Sequence, residues 1–561
     1  MKELKMTRRQ FVRLSAAATV GMVATACGTP VPQPTPTSPA TQVKPTAMPP
    51  TPTSPATQVK PTAMPPTVAP AGPKRGGTLN YAELGDFTSF NPWMMSAVNM
   101  AIYDHVFSRL IWKDKDGKEH GGMAAAWEMA PNGLAFKVKL KEGIKWHDGI
   151  ECTAQDFVTM FEYMRDKDLG AKPAIKKMSN LTENFNAVKA LDKYTIEFSF
   201  QFPIPYIVDI LDYWYAIRIP DKGDPDLIKA PPVGTGPFKM VKWAPKEYSQ
   251  YTRHPDYYDK GLPYVDQWMF KRLDKGETLV PNLEAGGVDG IFSPPITEVE
   301  RLLKDNRYVV EINAARGNTH HFRINTTFPP FDKKEVRQAF SYALNRQAVA
   351  KVAFSGIGGP VQQVFWSPAS LGYVEGLTNR YPFDLDKAAK LMKDAGVKDL
   401  EVTTYPTPAF PQMKLYCLIY QADLAKIGVK LNVVEVESAR YMEMGEDMVK
   451  AKVGLLPRQS GRHLRDCAVF FSANFDYRGD EKNPNQYRNT ELTDLVNKAA
   501  VETDLEKRRK AYQRANEILT EDAIKIMVCT EPQVWAWKKD VKDVHYTLLG
   551  FADLDKAWLD R

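Results

Sequence analysis

Between Gly28 and Pro73 the chain carries 15 prolines, two charges (Lys44 and Lys60) and no aromatic residue. Proline lacks the amide proton that helices and inner strands need, and a stretch without large apolar side chains has nothing to bury. No core can form there. Within it, the 16 residues from Thr35 to Pro50 (TPTSPATQVKPTAMPP) recur unchanged from Thr51 to Pro66. A Pro/Thr/Ser segment of this kind behaves as a semi-rigid polyproline spacer, and at about 3.1 Å per residue it reaches up to about 140 Å. The chain is thus partitioned before any element is read: 1–27 is a head, 28–73 a disordered linker, and everything that folds lies from residue 74 onward.

The head reads as an export signal. Lys2, Lys5, Arg8, Arg9 and Arg13 against Glu3 give it a net +4, and an apolar stretch follows from Leu14 to Ala26. Thirteen residues are too few to span a bilayer. Thr7-Arg8-Arg9-Gln10-Phe11-Val12 resembles the twin-arginine pattern that routes folded proteins; a chance arginine pair before a general secretory signal is the alternative. Ala24-Thr25-Ala26-Cys27-Gly28 resembles a bacterial lipoprotein cleavage box, with Ala24 where leucine is usual, and it makes the Cys27 thiol the lipid acceptor. A plain small-residue cleavage site is the alternative there. A lipid followed by a stalk implies work at a membrane face, whereas a proline-rich ligand for a recognition domain is the competing use of such a segment.

Charge narrows the function classes. Of the net +7, the head holds +4 and the linker +2, leaving about +1 for the body. A near-neutral body does not supply the basic surface that nucleic acid requires. No apolar run reaches the roughly 18–20 residues of a membrane span, which excludes a polytopic membrane protein. With 561 residues, two to four domains are expected at roughly 100–200 residues each.

Within the body, Leu134–Leu140 alternates apolar and polar as a half-buried strand does, with a turn at Glu142-Gly143 and a second short strand at Ile144–Trp146. Tyr194–Phe200 alternates as well, and Phe238–Trp243 follows Gly234-Thr235-Gly236-Pro237. Helical spacing then takes over: Lys334–Phe354, Asp386–Ala395 stopped by Gly396, Met413–Ile427 stopped by Gly428, Asn489–Glu502 and Leu505–Glu521. The strand Val429–Val436 follows the third of these. Helix, glycine, strand is the order of an α/β lobe. The run Lys507-Arg508-Arg509-Lys510 is expected on a solvated helix face, since no aromatic residues interleave it.

No catalytic constellation emerges, so no catalytic residue, metal ligand or cofactor is assigned. His147-Asp148 lacks a GxSxG nucleophile, and His320-His321 lacks HExxH spacing. Cys152, Cys417, Cys467 and Cys529 form neither CxxC nor zinc spacing. They are expected as isolated residues, at least two of them buried thiols.

Several ordered segments resemble one family, the extracytoplasmic solute-binding proteins of peptide/nickel-type ABC transporters, family 5. They are Gly76-Gly77-Thr78-Leu79 with Phe90-Asn91-Pro92; Ala125-Ala126-Trp127-Glu128 through Trp146-His147-Asp148-Gly149 to Ala154-Gln155-Asp156-Phe157; Gly234-Thr235-Gly236-Pro237-Phe238 with Arg253-His254-Pro255-Asp256-Tyr257-Tyr258; Val336-Arg337-Gln338-Ala339-Phe340 with Ala343-Leu344-Asn345-Arg346; and the Asp384–Gly396 helix with Leu424–Gly428. The resemblance runs from residue 76 to about 545. It implies an α/β, two-lobed periplasmic-binding-protein fold (type II, with an extra peripheral domain) that closes over a central cleft. Residues 74–115, 233–315 and 531–561 would form the first lobe, 116–232 the peripheral domain and 316–530 the second lobe. Trp146-His147-Asp148-Gly149 would be a structural turn. The partners implied are a small organic or peptide-like ligand, ABC permease subunits, and the membrane through a lipid on Cys27; a monomer is expected. A lipid-anchored enzyme and a sensor without transport are the alternatives.

The ligand segment departs from the family's peptide binders, which commonly carry Gly-Trp-x-x-Asp before an acidic residue and a proline. Here Val453–Phe471 reads VGLLPRQSGRHLRDCAVFF. With Asp466 set on the acidic residue, His463 stands where the ammonium-binding Asp belongs, Ser460 or Gly461 falls near the Trp, and Cys467 replaces the proline. Arg458, Arg462 and Arg465 around His463 would repel an ammonium and favour an anion. The competing reading is a shifted alignment with these arginines on a solvated loop. Trp93, Trp366 and Tyr373 lie near segments that approach the cleft in the family, where aromatic walls suit sugars and apolar side chains alike.

Overall fold

Eight strands of the body form one sheet: β1 (Thr78–Leu84), β2 (Phe238–Ala244), β3 (Tyr248–Arg253), β4 (Gln267–Leu273), β5 (Gly290–Phe292), β6 (Tyr308–Ile324), β7 (Leu455–Ser460) and β8 (Lys525–Lys538). Their spatial order is β2-β3-β4-β1-β5-β8-β6-β7. The computed structural model describes residues 72–84, 90–94, 97–166, 173–219, 232–273, 275–363, 368, 370–460, 466–473, 479–481, 483, 485–548 and 550–561. The export signal, Cys27 and the tandem repeat lie outside the described residues. No helix among those described is long and apolar enough to cross a membrane.

Two strand grammars meet in this sheet. β1 runs parallel to both β4 and β5, and β8 is antiparallel to β5 and β6. Being interior, β8 is buried along nearly its whole length, as a strand covered on both faces must be. Stacked rings from β8, β1, β3 and β4 anchor the first apolar core: Trp535 stacks on Trp537 at 5.5 Å, Tyr81 on Trp268 at 5.4 Å, and Tyr251 on Trp268 at 4.1 Å. Such ring pairs add to what their buried area contributes.

A separate four-stranded antiparallel sheet, in the order Ala124–Met129, Ala135–Leu140, Thr195–Phe200, Phe185–Ala190, joins that core. The alternation seen in the sequence holds, with Phe136, Val138 and Leu140 buried and Lys137 and Lys139 exposed. The expected strand at Ile144–Trp146 reduces to a single bridge, Lys145 to Glu151. The chain turns away there because His147 is tied down: its Nδ1 accepts from the Gly234 amide at 3.3 Å, and its Nε2 donates to the Gly236 carbonyl at 3.1 Å. Burial pushes the imidazole down to about 3, so it sits neutral, one nitrogen accepting and the other donating. Gly234 is required here, since a Cβ would collide with the Val106 carbonyl.

The second core lies around β6, β7 and the first half of β8, and contains Phe322, Phe340, Tyr416, Tyr420 and Leu424. The helical pattern over Lys334–Phe354 resolves into two helices, α1 (Lys334–Tyr342) and α2 (Arg346–Ala353). The break has a local cause. Asn345 caps α2 by accepting from the Ala348 amide, and the buried Arg346 donates to the Met527, Ser341 and Tyr381 carbonyls. Asp384 likewise caps the helix Leu385–Asp394, which ends before Gly396 at φ +69. Next come α3 (Pro411–Ala425), α4 (Ser438–Glu446), α5 (Cys467–Ala473) and α6 (Leu505–Glu521). Residues of α5 and α6, including Phe471, Tyr512 and Leu519, extend the first apolar core. All four body cysteines are buried free thiols.

Candidate functional site

The two cores are joined by β6 and β8, which run side by side from one into the other. Their register breaks midway. Asn313 pairs with Gln533 and Asn318 with Glu531, so β6 inserts the four residues 314–317 where β8 has only Pro532. A bulge of this size bends and twists the pair, and it falls between the cores, where the apolar run of β8 gives way to Thr530, Glu531 and Gln533. His320 donates through Nε2 to Glu531 at 3.1 Å. Burial raises the Glu531 carboxyl, but the hydrogen bonds from His320 and Asn318 outweigh it and hold it below its usual range.

The end of β7, the edge strand of the sheet beside β6, carries Arg458. Its guanidinium lies over the Tyr441 ring of α4, with 5.1 Å from its central carbon to the ring centre. The Tyr441 hydroxyl donates to the Pro457 carbonyl at 2.9 Å, which fixes the ring. Gly445 leaves the space: a Cβ there would collide with the Arg458 guanidinium. Among the described residues, Nη1 of Arg458 is buried without a hydrogen-bond partner, and no carboxylate forms an ion pair with the guanidinium. Arg323 donates to the Gly445 carbonyl, and Lys525 lies 3.3 Å from His321 Nε2. In register these are neighbours: His321 pairs with Arg458 and Arg323 with Lys525.

The remaining sequence-derived candidates separate. Arg462, His463, Arg465 and Trp366 lie outside the described residues. Asp466 and Trp93 are both engaged with partners inside the protein. Asp466 pairs with Arg508 of α6, and its Oδ1 accepts from the Ala468 amide at 2.8 Å. Trp93 is fully buried and donates through Nε1 to the Tyr215 carbonyl at 3.0 Å. Tyr373 donates to Glu375 at 2.8 Å. Arg508 corrects the sequence reading. The charge run predicts a solvated residue, yet it is buried, since helical spacing sets 508, 512, 515 and 519 on the inward stripe of α6. Its neighbours Lys507, Arg509 and Lys510 do not share that stripe. The crossing residues Glu531 and Gln533 were not singled out from sequence. The available clue was two polar residues at alternate positions in an otherwise apolar strand.

Two α/β halves with separate cores, joined by strands that run from one half into the other, have the build of a periplasmic binding protein, a receptor of solutes. Residues 118–460 match the family model described as bacterial extracellular solute-binding proteins, family 5 Middle. The chain belongs to that family. It is 24% identical over 467 residues to the glutathione-binding protein GsiB of Salmonella typhimurium, covering 81% of this chain and 89% of GsiB. It is 27% identical over 458 residues to heme-binding protein A of Haemophilus influenzae, covering 75% and 81%. Among solved structures, the periplasmic binding protein DppA of Helicobacter pylori, in complex with peptide STSA, superposes with a TM-score of 0.74 at 24% identity, over 87% of this chain and 99% of DppA.

Proposed function

We propose that the protein is a membrane-tethered receptor that binds a small organic, peptide-like acid between two lobes and hands it to the permease of an ABC importer. In this reading 74–115, 233–315 and 531–561 make the first lobe, 116–232 the peripheral domain and 316–530 the second lobe. The chain acts as a monomer on a lipid at Cys27 and needs no cofactor. Membership of a solute-binding family carries the receptor role. The ligands named for relatives (glutathione, heme, a tetrapeptide) differ in chemistry, so the ligand class rests on local charge. Arg458 supplies it: a half-buried guanidinium that rests on the Tyr441 ring with no carboxylate paired to it among the described residues, a few positions before Arg462, His463 and Arg465 in the sequence. An anion there would satisfy its open donors with charge-assisted bonds.

The test is thermal shift and titration calorimetry on residues 74–561 with tripeptides, their N-acetyl forms and their C-terminal amides. Binding survives acetylation and is lost on amidation if a carboxylate is what Arg458 holds. Arg458→Ala then weakens binding by about tenfold or more, the loss of one charge-assisted pair of roughly 1.5–3 kcal/mol. Loss on acetylation instead of amidation overturns the anionic reading. For the tether, Cys27→Ser moves the expressed protein from the membrane fraction to the soluble extracytoplasmic fraction; unchanged fractionation rules out the lipid.

A further inference from the structure

We propose that Gln533, on the strand crossing between the two cores, orients the solute by pairing with an amide group on it. The inference rests on the receptor reading and deepens it, since it adds an amide to the acid assigned above. Gln533 is 5% exposed, and neither its Nε2 nor its Oε1 has a hydrogen-bond partner among the described residues. A buried amide left unpaired on both atoms is destabilising. A protein keeps such a group where something else satisfies it.

Its position says what that is. Strand alternation places Gln533 on the same face as Glu531, and it lies beside the four-residue bulge at which the two halves of the molecule meet. On the neighbouring strands, Asn318 pairs with Glu531, and His320 pairs with Gln459 of β7. Here too buried polar atoms lack partners among the described residues. His320 gives its Nε2 hydrogen to Glu531, which leaves its buried Nδ1 without a partner, and Gln459 Oε1 is also unpaired. Gln533 itself is held in place: a Cβ at Gly550 would collide with its Oε1, so this glycine is what admits the side chain. The Gly550 carbonyl accepts from Trp535 Nε1 at 3.0 Å, which fixes the turn. One free donor beside one free acceptor on a rigid amide matches the edge of a peptide or carboxamide group, which offers the complementary pair.

Gln533→Met keeps the size of the side chain and removes both polar atoms. In protein freed of solute by unfolding and refolding, the variant's Tm rises by about 1–2 °C, because the unpaired amide is gone. A fall in Tm means that the amide is satisfied within the protein, and overturns the proposal. The probes for binding are glutathione and the tetrapeptide Ser-Thr-Ser-Ala. If the natural chain binds either, Gln533→Met weakens it at least tenfold, and equal affinity overturns the proposal while leaving the receptor reading intact. If the natural chain binds neither, the peptide-like reading of the ligand fails and the Tm comparison alone decides the role of Gln533.

Discussion

Replacing Asp466 with Ala lowers the unfolding free energy by about 3–5 kcal/mol, as removal of one partner from a buried ion pair does. The side chains of Arg508 and Asp466 are 5% and 6% exposed, so solvent cannot replace what the substitution takes away. Two losses combine. The Arg508 guanidinium is left charged in a buried place, and the Ala468 amide at the start of α5 loses its acceptor. Asp209 and Tyr206, from the segment next to the four-stranded sheet, act on the Arg508 charge but do not replace Asp466. The measurement is urea unfolding at pH 7 of residues 74–561. Arg509→Ala serves as the comparison, because Arg509 pairs with Glu506 on the exposed face at 3.2 Å; its cost stays below about 0.5 kcal/mol. Converting both Asp466 and Arg508 to leucine recovers most of the loss, since no charge is then stranded. A loss under 1 kcal/mol in Asp466→Ala would falsify the buried-pair account.

Arg109→Met has an effect of similar size and carries a pH signature. Arg109 donates to Asp104 and to Asp212, each at 2.6 Å, with all three side chains buried. Burial opposes the guanidinium charge, but Asp104, Tyr215 and Asp212 outweigh it and hold the charge on. Burial raises both acids, Asp212 to about 6, and Arg109 is what opposes the rise. Methionine removes that opposition, so both carboxyls climb further above their unfolded values. An acid whose folded pKa is raised binds its proton more tightly in the native state. Its stabilising contribution is therefore complete below its unfolded pKa of about 4 and is lost as pH rises through the folded value. The deficit of the variant against the natural chain is thus largest at pH 7–8, about 3–5 kcal/mol, and shrinks steadily toward pH 5. Thermal unfolding of both proteins at pH 5.0, 6.0 and 7.5 reads it. A deficit that stays constant, or grows as pH falls, contradicts the assignment.

Much of the fold was legible because it rests on local rules. Period-two alternation located the strands at 135–140 and 195–200, and glycines at helix ends set the stops after residues 394 and 425. Where sequence reading went astray, side chains acted at a distance. The single helix read over 334–354 is two because Arg346 reaches carbonyls at Met527 and Tyr381. Arg508 looked solvated because its charge was counted with its neighbours', whereas α6 turns it inward toward Asp466.

The candidate site divides in the same way. Residue type and order placed cationic groups at Arg458 and beyond, and ordered blocks identified the family. Only the tertiary structure showed that Asp466 and Trp93 are engaged within the protein, that Gly445 makes room for Arg458, and that Gln533 is buried unpaired at the crossing. By itself the sequence determined the partition into head, linker and body: 15 prolines between Gly28 and Pro73 without an aromatic residue cannot form a core, whatever else the chain does. It also determined the near neutrality of the body and the family to which it belongs. Partnership was decided by the fold, because a hydrogen bond or an ion pair depends on which side chains β6, β8 and α6 bring together across long intervals of chain, and periodicity along one segment carries no record of that.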